Sequence, residues 1–135
     1  MKKILLLSVL VLFGCDNTSI VSFKDKVSFK TEMAITHSQH EKGLMFRKKL
    51  CEKCGMLFDF KEERQIGMWM KDTEISLDML FLNAKQKVVY IAEKTTPFSL
   101  EKIMTTLPVR YVLEIPAGIA QKYNLKIGDK MEISK

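Results

Sequence analysis

The sequence predicts an α+β domain, a small, mostly antiparallel, barrel-like sheet with two short helices. Three observations predict it. Apolar and polar residues alternate with period two in several short runs, turn-forming residues separate those runs, and only two stretches carry helical signals. The 47 % hydrophobic share is enough for one buried core, and 135 residues suit one domain better than two.

Residues 27–35, Val-Ser-Phe-Lys-Thr-Glu-Met-Ala-Ile, alternate like a half-buried strand. Thr36 is a good N-cap, and the helix it opens is expected over residues 37–49 with Leu44 and Met45 turned inward. Residues 55–60 read as a short apolar strand, 61–64 as a turn and 66–70 as a second strand. Residues 77–82 and 88–92 make two more strands, joined by a hairpin loop over 83–87. Thr95-Thr96-Pro97 breaks the chain, and a weakly patterned connection runs on to Leu107. A strong strand follows over 109–115, Pro116-Ala117-Gly118 turns into a short helix over 119–123, and residues 130–134 close the sheet.

The N-terminus carries a different kind of signal. Lys2 and Lys3 precede an apolar stretch, residues 4–13, broken only by Ser8 and too short to span a bilayer as a mature helix. It ends in Leu12-Phe13-Gly14-Cys15, which resembles a bacterial lipobox, with Leu three before the Cys and a small residue just ahead of it. That resemblance implies acylation of the Cys15 thiol and cleavage before it. Residues 1–14 are therefore expected to be a signal peptide, 15–26 a polar tether and 27–135 the domain. The expected location is outside the cytoplasm, as a lipoprotein anchored in the membrane and facing the periplasm or cell exterior. Loss of Lys2 and Lys3, the only charges before Cys15, lowers the formal charge from +6 to +4. This mildly basic chain suits a neighbour of anionic lipid or cell-wall polymer. No aromatic–basic binding motif is present, and no nucleic-acid partner is expected.

Several separate blocks carry a family resemblance. Gly43-Leu-Met-Phe-Arg47, Gly55-Met-Leu-Phe58, Trp69-Met-Lys-Asp-Thr73, Leu77-Asp78, Tyr111-Val-Leu-Glu-Ile-Pro-Ala-Gly118 and Gly128-Asp129 together resemble the DUF192 family, also called UPF0127, over about residues 32–130. The resemblance implies a small mixed α/β barrel-like domain that is usually exported. It implies no activity, and a fold does not carry one with it.

The polar residues inside apolar blocks are the candidate ligand-binding set: Arg47, Trp69, Lys71, Asp72, Thr73, Asp78, Arg110 and Glu114. Opposite charges gathered round one cleft would hold a zwitterionic or anionic ligand, with Trp69 as a flat contact. A carboxylate among them would serve as an acid or base if burial raised its pKa. The plainer reading pairs Arg47 or Arg110 with Asp78 or Glu114 at a barrel corner. Under the ligand reading, Asp78→Asn is expected to spare folding and abolish binding. No nucleophilic triad or phosphate loop is visible.

A second cluster is His37-x-x-His40 with Cys51-x-x-Cys54, four ligands suited to Zn²⁺, or to Cu(I) with nearby methionines. The same cysteines would otherwise form a disulfide closing a short loop, or stay free. The basic surroundings of the pair favour thiolate, as a thiol–disulfide oxidoreductase requires, but no strand-then-helix context frames it. The function expected from all this is a non-catalytic binding or accessory role at the cell envelope, toward a small polar ligand or an envelope protein. The alternatives are an envelope enzyme with a carboxylate base, or a metal-binding protein through the Cys/His set.

Overall fold

The computed structural model describes residues 17–135. The signal and Cys15 lie outside the described residues. Chain order is β1 (Thr18–Phe23), β2 (Val27–Ala34), α1 (His37–Lys42), β3 (Cys54–Arg64), β4 (Leu77–Leu82), β5 (Val88–Ala92), β6 (Val109–Pro116), α2 (Ile119–Lys122) and β7 (Met131–Ser134). The seven strands form one sheet in the order β5-β4-β6-β3-β2-β1-β7. Only β2 and β3 run parallel, which requires a crossover, and α1 with residues 43–53 supplies it. The two ends of the sheet curl toward each other. Lys87 and Lys130 form a bridge, supported by Val88 N–H to the Asp129 carbonyl at 2.9 Å and Met131 N–H to the Gln86 carbonyl at 2.8 Å. The expected barrel-like sheet is therefore a half-barrel drawn together at one end.

Strand alternation sorts the apolar side chains into two layers. Tyr111, Leu113 and Ile115 of β6 join Leu57, Leu80, Leu82, Phe29 and α2's Ile119 and Ala120 inside the curl. Val112 packs on the other face with Met56, Phe58, Met79, Phe81 and Leu44. Burying each such large side chain is worth about 1.5–3 kcal/mol, so the sheet is held from both sides. Glu114 points to this second face, because it alternates with Leu113 and Ile115.

Four expected elements change. The polar segment expected to tether the domain is β1, paired with β2 and β7. Its alternation is brief but real: Ser19, Val21 and Phe23 are buried, and Thr31 Oγ1 donates to the Ser19 carbonyl at 3.0 Å. The helix expected to reach residue 49 stops after Lys42. Gly43 has φ +46° and donates to the Gln39 carbonyl, while the Thr36 cap forms with Gln39 as its reciprocal partner. Leu44 is buried as expected, but from a loop. Residues 61–64 are not a turn ending the strand. They continue β3 past a bulge at Lys61, whose φ is +70°. Residues 66–70 keep their alternation, with Ile66, Met68 and Met70 buried, yet only Met68 bridges, to Ile103 of an irregular partner segment.

Candidate functional site: a cleft floored by Glu114

β6 places Glu114 between Met56 of β3 and Met79 of β4. The residue is 4 % exposed, its side chain makes no hydrogen bond among the described residues, and its carboxyl keeps a narrow opening to the cleft. Burial alone pushes its carboxyl up to about 8, so at neutral pH it is mostly an uncharged acid. It opens into a cleft of about 320 Å³.

One wall of the cleft is α1 and the turn after it, a second is the far end of β3, and a third is the segment 67–73. His40 of α1 is fixed by geometry. Its Nε2 lies 2.9 Å from the Ala34 carbonyl and 3.0 Å from the Asp59 carbonyl, two acceptors, so Nε2 carries the proton and donates. Its ring packs on Phe60 with centroids 4.4 Å apart. Arg64 lies over the other partner of that stack, its guanidinium 5.5 Å from the Phe60 ring. Across the cleft, Lys71 Nζ stands 5.2 Å from the Trp69 ring centroid. Thr73 is buried and turns its hydroxyl to the Lys71 carbonyl at 2.8 Å, which shapes the turn that presents Lys71. The result is an aromatic, cation-bearing rim over a neutral acid. Such a cleft suits a small polar or anionic molecule with a flat apolar part, hydrogen-bonded at its inner end by Glu114.

The structure gathers Trp69, Lys71, Thr73 and Glu114 of the expected set. It separates the others. Arg47 forms a two-pronged pair with Glu32 at 2.7 and 2.9 Å, and Arg110 does the same with Asp59 at 3.2 and 3.3 Å. Neither arginine reaches Asp78 or Glu114, so the expected corner pairs are replaced. Asp78 lies on the opposite face of the sheet from Glu114, since strand alternation sets it with Leu80 and Leu82. It is fully buried and accepts from Lys94 N–H at 2.8 Å and Ala120 N–H at 2.9 Å. Gly118, the N-cap of α2, has no side chain to cap it, and Asp78 satisfies that helix end from across the fold. Asp78 thus lies away from the Glu114 cleft, with its carboxylate bonded to the backbone at the start of α2. Asp72 is exposed outside the cleft, its carbonyl accepting from Phe46 N–H at 2.8 Å.

The four expected metal ligands are not assembled. Cys51 and Cys54 are bonded to each other, and they line a different cavity beside Arg47. His37 pairs with Glu41 at 3.2 Å, His40 is held by backbone carbonyls, and no group of three metal-binding side chains occurs among the described residues. In this structure the two cysteines form a disulfide, His40 packs on Phe60, and the four side chains do not converge. The disulfide leads into β3 rather than into a helix. Sequence reasoning missed Phe60 and Arg64 as cleft walls. The signal was the alternation of β3, masked where Lys61-Glu-Glu-Arg64 resembles a turn.

A half-barrel carrying a small-molecule-sized cleft on its outer face is the class that fold and site define. Within that class the chain belongs to the DUF192 family, described as Uncharacterized ACR, whose profile matches residues 19–133. A UPF0127 protein of Pyrococcus furiosus is 30 % identical over 96 residues, covering 67 % of this chain and 74 % of the relative. A crystal structure from Sinorhizobium meliloti, described as that of a candidate transcription regulator, superposes with a TM-score of 0.80 at 36 % identity, covering 86 % of this chain and 92 % of that one. A protein of unknown function from Novosphingobium aromaticivorans gives 0.79 at 33 % identity, covering 85 % and 83 %.

Proposed function

We propose that this protein is exported, anchored through a lipidated Cys15, and binds a small polar ligand in the Glu114 cleft without transforming it. The single observation that supports the binding reading most is Glu114 itself. Its carboxyl is almost withdrawn from bulk water and pairs with no charged group, and the little of it left accessible faces the cleft, which is where a bound molecule would meet it. The cationic rim at Arg64 and Lys71 favours an anionic or polar group at the mouth, and Trp69 offers it a flat wall. The resemblance of residues 12–15 to a lipobox supports the envelope location.

A second reading makes Glu114 a general acid or base, and its pKa near 8 favours it, since proton transfer is most effective near the working pH. One pair of substitutions separates the two. Glu114→Gln keeps the shape and hydrogen bonding of the uncharged acid, whereas Glu114→Ala removes both. Native mass spectrometry of the full chain purified from its own cells should show a copurified small molecule in wild type and E114Q, and its loss in E114A. No retained mass in wild type contradicts the binding reading. A changed, product-like mass in wild type beside an unaltered one in E114Q would establish the enzyme instead.

A further inference from the structure

We propose that the rim of the Glu114 cleft is the face this protein lays on a lipid bilayer, with Phe46, Trp69 and Phe98 entering the interface. The inference rests on the lipid anchor at Cys15 proposed above.

The length of the link carries the first part. β1 begins at Thr18, so only Asp16 and Asn17 separate it from Cys15, three residue steps that span at most about 11 Å when fully extended. The polar headgroup layer of one leaflet is itself about 5–7 Å thick, so the domain has no room to stand away from the membrane. The start of the described chain also lies at the cleft end. Asn17 is paired with Met33 through hydrogen bonds of 2.7 and 3.0 Å, and it lines a shallow cavity with Lys42, Gly43 and Arg47. Lys42 and Gly43 are the wall that this cavity shares with the Glu114 cleft. An acyl chain on Cys15 therefore brings the α1 side of the cleft to the bilayer.

The exposed apolar residues supply the second part. Among the described residues eight large hydrophobic side chains are exposed, and five of them, Phe46, Trp69, Phe98, Leu100 and Met104, lie on three neighbouring segments. Backbone hydrogen bonds stitch those segments together. Phe46 N–H donates to the Asp72 carbonyl at 2.8 Å, Phe98 N–H to the Thr73 carbonyl at 3.0 Å, and Met70 N–H to the Ser99 carbonyl at 3.0 Å. Such a concentration marks an interaction surface rather than scattered surface apolarity.

Backbone strain supplies the third. Phe46 and Phe98 hold φ of +65° and +63°, the left-handed region that bulky side chains avoid, yet they are 73 % and 59 % exposed. The strain is not offset by burial within the domain. These turns hold two bulky rings out in solvent, where a bilayer interface would give them an apolar surround. Trp69 beneath the Lys71 ammonium has the amphipathic form that settles at a membrane–water boundary. Lys48, Lys49 and Lys71 flank the patch, but Asp72 and Glu101 are exposed there too, so apolar insertion leads and lipid charge adds little.

Trp69 is the one tryptophan in the chain, so its fluorescence reads this face alone. The full-length protein purified from membranes would be placed in phosphatidylcholine–phosphatidylglycerol vesicles, with and without bromine on the acyl chains near the headgroups. The expected result is a blue-shifted Trp69 emission that brominated lipid quenches, and weaker quenching in F46S. Water-like, unquenched emission from vesicle-bound wild type overturns the proposal whether or not the variant folds. Emission shielded equally in a detergent-solubilised dimer would assign the face to a second copy and also overturn it. The intact mass of the same sample separates this inference from its premise. Acylated but unquenched protein refutes the membrane face alone, and absence of acylation refutes the anchor and the face together.

Discussion

Two buried carboxylates lie on opposite faces of one sheet, and their surroundings give them opposite jobs. Asp78 accepts two backbone N–H groups, from Lys94 and from Ala120 at the start of α2, and so closes the inner layer. Glu114 accepts none among the described residues and is held uncharged at the base of the cleft. The two are alike in sequence, each an acid inside an apolar run, and only alternation on β4 and β6 tells their faces apart. Removing the Asp78 side chain strands a buried donor at Ala120, at about 1–3 kcal/mol, and a part-buried one at Lys94 that costs less. Asp78→Ala should therefore lower stability by about 2–4 kcal/mol in a urea titration, with the loss independent of any cleft ligand. A D78A protein that melts like wild type would return Asp78 to the ligand-binding candidates.

At the scale of elements, the cleft depends on how closely β3 and β6 approach. Gly55 sits beneath β6, where an added Cβ would come within 2.5 Å of the Glu114 carbonyl oxygen. Gly55→Ala must push the two central strands apart just where Glu114 is mounted. Its expected cost is about 2–4 kcal/mol, by the overpacking that backbone cannot relieve. Circular dichroism melts of G55A and wild type would read it, and equal midpoints would show that the strands have slack there. Elements with a complete local signature were legible in the sequence. β4 and β5 have strict runs and a polar hairpin loop between them, and α1 starts at its capping Thr36. Elements that depend on distant partners were not. β1 is polar enough to look like linker, and only pairing with β2 and β7 gives Val21 and Phe23 a core to enter. Residues 66–70 have a strand's alternation but face the irregular segment 99–103, so no ladder forms. For the site, residue types pointed to Trp69, Lys71, Thr73 and Glu114. The arginine partners depended on the placement of Glu32 and Asp59, which no local pattern reveals.

For the whole molecule, the balance of charge with pH follows from these placements. The Arg47 hydrogen bond holds the Glu32 carboxyl below the usual range, which contributes stability above the unfolded pKa that is lost as pH falls through the folded one. Both partners are partly exposed, and pairs of this kind contribute about 1 kcal/mol or less. Glu114 acts with the opposite sign. Its folded pKa is raised from 4.5 to about 8, so across that interval the unfolded chain has released a proton that the folded protein still holds. Stability should therefore fall as pH rises from about 4.5 to about 8 and level off above, by a few kcal/mol at most. Glu114→Gln carries no titrating group and escapes that loss, while the Glu32 contribution is common to both proteins and cancels in their difference. The measurement that tests the cleft most directly is the unfolding free energy of wild type and E114Q across this pH range. An uncharged Glu114 on the cleft floor predicts curves that nearly meet below pH 4.5 and separate steadily toward pH 8, with E114Q the more stable. Curves that stay parallel through the whole range would mean that Glu114 ionises as it does in water, and would contradict the account of the cleft.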